Sequence, residues 1–306
     1  MADMRVDSHL HVGFRDFSPE KIIGYLDAER LDLGWLLTWE EDHPVIPSLY
    51  QHLSVADVFS AYERFPTRIV PMYAPDPARP GFREDLRSWH ARGIRGIGEL
   101  KVSCTWDSAP VGALLEEARA LGLPVVFHME GPGWFPFPWS LPNRVFTHTL
   151  NRGNRLGRRL AGQGNRRGYF PGYLPDFDGL RGRLAEFPEV AFIGHGPLFW
   201  KGIAREQGGA LYPSGKVGEP GILCDLLARY PNLHADLSGR GGYNALARDP
   251  AFARDLLAAH SRQVLFGTDN FSLGLPALLA GLGLAPADLE RILGGNAMAL
   301  VPPRAA

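Results

Sequence analysis

Eight short apolar runs, separated by helix-like patterns, constrain the fold of this chain more than any other feature of its sequence. They are Met4–His9, Asp32–Thr38, Arg68–Tyr73, Ile94–Leu100, Pro124–Met129, Val190–His195, Leu233–Ser238 and Val264–Thr268. Regular alternation of strand-like and helix-like segments predicts repeated βα units around a parallel sheet. Eight such units favour a closed sheet over an open one, because closure removes the unpaired edges. The fold class predicted is therefore α/β, a (β/α)8 (TIM) barrel. Such barrels typically need about 250 residues. The 306 residues here fit one domain spanning 1–306 with insertions better than two domains.

The intervening helices carry their own signals. Ser18-Pro19-Glu20 offers a cap and a proline for a first turn. Ala109–Leu121 spaces apolar residues for a helix and stops at Gly122. Glu219–Tyr230, Pro250–His260 and Pro286–Leu293 read similarly. Two stretches break the rhythm. Trp39–Leu53 predicts a polar, proline-containing loop after the second strand. Gly131 to about Pro175 predicts a long loop insertion after strand 5. It opens with four large aromatics, Trp134, Phe135, Phe137 and Trp139. Seven arginines follow, from Arg144 to Arg167, with no Asp or Glu anywhere in the stretch. A structureless loop of that length is usually functional or disordered. This one is expected to overhang the strands' C-terminal ends, where barrel active sites lie. Its Trp, Phe and Arg also suit a subunit interface, so a lid, an interface or both are expected, with a homo-oligomer implied.

Candidate chemistry collects at those same strand ends. In the first strand, alternate residues share a face, so Asp7, His9 and His11 are expected to point one way. Two imidazoles converging from one strand suit a divalent metal better than a core. His128 ends strand five, His195 strand six and Asp269 strand eight. Each has an ordinary reading on its own, as a structural histidine, a turn or a helix cap. Together they form a set that converges only at one barrel mouth. Strand four adds Gly96-Ile97-Gly98-Glu99-Leu100-Lys101, in which Glu99 and Lys101 share a face. Two readings stand there. In one, Glu99, or Lys101 if its amine is carboxylated, bridges two metals. In the other, the two form a buried ion pair with no metal role. His234, Asp236 and Ser238 on strand seven are expected to support the site or pack beneath it. His148, inside the insertion, could reach substrate, as could Trp134 and Arg144.

Net charge of −1 lowers the prospects of nucleic-acid or membrane binding by charge alone. No apolar run approaches the ~20 residues of a membrane span. Two cysteines, Cys104 and Cys224, predict free thiols in a reducing compartment. The first motif lies too near the start to leave room for a signal peptide, so a cytoplasmic protein is expected.

These residues resemble the amidohydrolase superfamily of metal-dependent TIM-barrel enzymes. The likeness rests on Val6-Asp7-Ser8-His9-Leu10-His11, Pro124–His128, Phe192-Ile193-Gly194-His195-Gly196-Pro197 and Leu265–Asp269. Tyr230–Ser238 and Ile292–Ala297 look most like the amidohydrolase-related branch that includes aminocarboxymuconate-semialdehyde-type decarboxylases. The resemblance implies His9, His11, His128 and Asp269 as metal ligands. It makes His195 either a ligand to a second ion or the base beside a single one. Glu99 departs from the decarboxylase pattern and is similar to the bridging glutamate of TatD-like hydrolases. One or two divalent ions are implied, zinc first, with manganese or iron also acceptable to this donor set. The leading expectation is hydrolysis of an amide, ester or lactone in a small anionic or aromatic substrate. Asp269 would be the base and Asp7 would orient a ligand imidazole. Non-oxidative decarboxylation is the alternative. A TatD-like nuclease or phosphoesterase is the third, and a barrel that only binds a ligand the fourth.

Overall fold

A computed structural model describes residues 4–44, 50–135, 168–271 and 273–302. Eight parallel strands alternate with helices: β1 (Val6–Leu10), β2 (Leu33–Leu36), β3 (Ile69–Pro71), β4 (Ile97–Leu100), β5 (Val125–His128), β8 (Phe192–His195), β9 (Leu233–Asp236) and β10 (Val264–Leu265). Ladders join β1-β2-β3 and β10-β9-β8-β5-β4. Backbone bonds close the ring between these two arcs. Ser8 N–H donates to Phe266 C=O at 2.9 Å, and Arg95 N–H donates to Pro71 C=O at 2.9 Å. The expected (β/α)8 barrel is what the chain forms.

Two layers of apolar side chains hold it together. The outer layer lies between strands and helices, where Leu10 and Leu36 meet Ile22 and Leu26. The inner layer fills the barrel with Val6, Trp35, Leu37, Met72, Val126 and Ile193, and Ala297 and Val301 join it from the C-terminal end of the chain. Each buried Val, Leu, Ile or Met among them is worth about 1.5–3 kcal/mol. Local signals place the helices. Ser18 caps Pro19–Ala28 by accepting from Lys21 N–H. Ala109–Leu121 ends at Gly122, whose φ of 65° is the left-handed stop a glycine allows. The helix expected from Glu219 begins instead at Ile222, because Pro220 is drawn into a bridge with Ala204. Among the described residues, no helix is long and apolar enough to cross a membrane.

The insertion after β5 differs from a plain loop at its base. β6 (Gly133–Phe135) pairs antiparallel with β7 (Gly168–Phe170), and Glu130 pairs with Tyr173 just below them. The insertion thus leaves the barrel through a two-stranded neck. Trp134 lies on β6 opposite Tyr169. Arg144 and His148 lie outside the described residues.

Candidate metal centre

The strand ends bring six sequence-predicted residues to one place. His9 and His11 come from the end of β1, Glu99 from β4, His128 from β5, His195 from β8 and Asp269 from just past β10. Glu99 stands in the middle. Its Oε2 lies 3.8 Å from His9 Nε2 and 3.5 Å from His11 Nε2. Its Oε1 lies 2.7 Å from His128 Nδ1 and 3.7 Å from His195 Nε2. Asp269 completes the rim, with Oδ1 3.4 Å from His11 Nε2 and Oδ2 4.0 Å from His195 Nε2. Its side chain is 18 % exposed, against 0 % for His9, so Asp269 marks the open side of the cage. Gly239 keeps that side clear: at its φ of +67°, a Cβ would sit 3.1 Å from Asp269 Oδ2 and 3.2 Å from His195 Cε1.

The outer ring nitrogens are held from behind. His9 Nδ1 contacts Asp236 Oδ2 at 2.6 Å, and His11 Nδ1 donates to Leu37 C=O at 2.9 Å. His195 Nδ1 is 2.7 Å from Ser238 Oγ, which donates its own proton to Asp236 Oδ2 at 2.8 Å. Acceptors at these Nδ1 atoms place the proton there and leave a lone pair on Nε2. The Nε2 atoms of His9 and His11 then face each other at 3.2 Å as two acceptors. Such a gap demands a proton or a cation. The proton's side of that demand is visible: burial alone would depress His9, yet Asp236 and Glu99 raise its pKa well above the ordinary value. His11 is likewise raised against burial, by Asp269 and Glu99. Burial favours a neutral Glu99, but Lys101 and the three histidines hold it well below the usual carboxylate range. Burial, with His9 beside it, keeps His195 neutral, well below the usual imidazole value. Four imidazoles and two carboxylates, with paired acceptors turned inward, are a donor set that fits divalent metal.

Two expected supporting residues sit differently. The ladder register shifts between Asp7 and Leu10. Asp7 consequently turns to other partners than the two histidines do. Its oxygens accept from Thr268 (2.6 Å), Tyr25 (2.8 Å), Thr268 N–H (3.1 Å) and His9 N–H (3.0 Å), and touch no imidazole ring. Burial pushes its pKa up to about 6 in spite of these donors. Asp236 occupies the position expected of it. Lys101 makes no ion pair with Glu99. Its Nζ lies 3.8 Å above the Trp39 ring and 5.8 Å from that of Tyr173, and the Trp39 indole N–H is fixed on Lys101 C=O at 3.1 Å. One neighbour escaped the sequence reading. Glu130 Oε2 lies 3.3 Å from His128 Nε2, two residues beyond the end of β5. Only its i+2 spacing from His128 hints at it.

Comparison with known proteins shows the family and the fold. The amidohydrolase family model matches residues 6–302. An amidohydrolase from Burkholderia multivorans with bound zinc superposes with a TM-score of 0.57 at 14 % identity, covering 98 % of this chain and 100 % of that one. A putative 2-pyrone-4,6-dicarboxylic acid hydrolase from Pseudomonas putida gives 0.57 at 17 % identity, covering 98 % of each chain. The 5-carboxyvanillate decarboxylase LigW from Sphingomonas paucimobilis gives 0.55 at 14 % identity, covering 98 % and 99 %. Among curated protein sequences, no relative matches significantly.

Proposed function

Since the chain belongs to the amidohydrolase family, we propose that it is a hydrolase working with two divalent metal ions, zinc first among the candidates. The observation that carries this reading is Glu99, whose two carboxylate oxygens face two different groups of imidazoles. A carboxylate so placed suits a bridge. His9, His11 and Asp269 would hold one ion with it, and His128 and His195 the other. When bound, such ions supply a Lewis acid and a water acidified toward a pKa of about 7.

The chain's own residues do the rest. Asp269 Oδ2 is its freer oxygen, further from its imidazole than Oδ1 is. It is the atom proposed to accept the water's proton on the open side. His195 stays neutral, and its Nε2 is turned to the centre by Ser238. It would therefore offer a lone pair to a second ion and no positive charge. Asp236 fixes His9 directly and His195 through Ser238. The substrate class proposed is a small ester, lactone or amide carrying an anionic or aromatic group. A second reading, non-oxidative decarboxylation, draws on the decarboxylase among the fold neighbours and on the acid-free, seven-arginine insertion. Arginine pairs carboxylates bidentately, which suits either reaction.

One experiment separates these. Metal analysis of the zinc-loaded protein is expected to give two ions per chain. Turnover of a lactone and ester panel in ¹⁸O-water is expected to place label in the product. Saturation at one ion, with CO₂ released and no label incorporated, would sink hydrolysis in favour of decarboxylation.

A further inference from the structure

Four imidazoles line the cage, and each has one nitrogen turned inward and one outward. For three of them the outward nitrogen is Nδ1, met by Asp236, Leu37 C=O or Ser238. His128 is reversed. Its Nδ1 faces Glu99 at 2.7 Å and its Nε2 faces outward, 3.3 Å from Glu130 Oε2. A neutral imidazole has one N–H and one lone pair, so the outward acceptor decides which nitrogen is free to bind. Glu130 stands where Asp236 stands for His9. Its own place is set by the neck of the insertion. Glu130 N–H donates to Tyr173 C=O and Tyr173 N–H donates back, both at 3.0 Å. The Tyr173 ring stands edge-on to His128, with centroids 5.9 Å apart.

We propose that Glu130 is a positioning residue: by accepting His128 Nε2–H it fixes the tautomer that turns the Nδ1 lone pair to the second ion, and it couples that ion to the base of the insertion. The inference rests on the two-ion reading above. Outer partners of metal-binding histidines are typically worth about 10–100-fold in metal affinity. A carboxylate also orients the ring more strongly than a neutral acceptor does.

The test uses the full-length protein loaded with zinc, titrated against a competing chelator. Glu130→Met removes the acceptor at nearly constant length. It is expected to weaken one of the two ions by about 10–100-fold and leave the other unchanged. Glu130→Gln keeps a carbonyl acceptor and is expected to recover most of that loss, which a merely structural role would not produce. In ¹⁵N-histidine NMR of the wild-type zinc protein, His128 is expected to show a bound Nδ1 and a protonated Nε2. That spectrum keeps the proposal testable if Glu130→Met fails to fold. Two ions held at wild-type affinity by Glu130→Met, or a His128 bound through Nε2, would overturn the proposal and leave the two-ion reading intact. A wild-type chain that takes only one ion overturns the two-ion reading. Glu130 is then judged on the nitrogen spectrum alone.

Discussion

The two halves of the cage are built differently. On the His9–His11 side, both outward nitrogens are gripped from inside the barrel wall. Asp236 is 0 % exposed, and Leu37 contributes a backbone carbonyl beside the buried inner layer. On the His128–His195 side, one support is the Ser238 hydroxyl. The other is Glu130, whose side chain is 17 % exposed and belongs to the neck of the insertion. The first half is therefore held by the scaffold, and the second partly by a loop. In barrels of this kind the scaffold is constant and the loops vary. The difference suggests a division of labour, with one half of the cage fixed by the fold and the other adjustable through the neck of the insertion.

The largest effect should come from the residue that serves both halves at the open rim. Asp269→Asn preserves an oxygen toward His11 but removes the acceptor proposed for the water's proton. Its kcat is expected to fall by about 10²–10⁴-fold with metal content unchanged. A near wild-type rate would assign the base elsewhere. The next largest effect tests whether the halves are separable. Asp236→Asn disturbs His9 directly and His195 through Ser238. It is expected to weaken both ions, by about 10–100-fold. Ser238→Ala removes the link between His195 and Asp236: His195 loses its acceptor, while Asp236 keeps its direct contact with His9. One ion should loosen by roughly fivefold, the worth of about 1 kcal/mol. Chelator competition on the two variants reads this out. Equal losses at both ions in Ser238→Ala would mean that the cage responds as one unit.

How much of this was legible beforehand follows the same division. His9, His11, Glu99, His128, His195 and Asp269 could be placed together from sequence because each ends a strand-like run, and a closed parallel barrel turns all such ends to one mouth. Their supports could be read less well. Counting alternate residues puts Asp7 behind the two histidines, but the shifted register between Asp7 and Leu10 breaks the period of two. Asp7 instead ties β1 to Thr268 and to Tyr25 on the first helix. Lys101 follows Glu99 by two, yet it lies against Trp39 rather than on the carboxylate. Glu130 was invisible because its position depends on pairing with Tyr173, across an insertion that gave no strand signal of its own. Periodicity reports on regular strands. It fails where a strand is irregular or where a loop is folded back by distant residues.

His234 offers the smallest test and extends the comparison to a histidine outside the cage. It shares β9 with Asp236, is 8 % exposed, and has a buried Nδ1 with no hydrogen-bond partner. His9 and His11 have acid partners and are raised against burial. His234 has none, and burial pushes its pKa down to about 4. The sign follows from proton counting. Between pH 6.5 and 4 the unfolded chain binds a proton at this position and the folded chain does not. Protonation therefore favours unfolding, and stability is lost as pH falls through that window. The shift corresponds to a loss of up to roughly 3 kcal/mol. His234→Phe keeps a ring of similar shape and cannot titrate. Urea unfolding of the metal-free proteins at pH 7 and pH 4.5 is expected to show a smaller acid loss in the variant than in the wild type. The double difference cancels the other groups, the cage histidines included. Parallel acid losses in the two proteins would mean that His234 is already solvated or partnered in the folded state, and that burial without an acid is not what separates it from the caged pair.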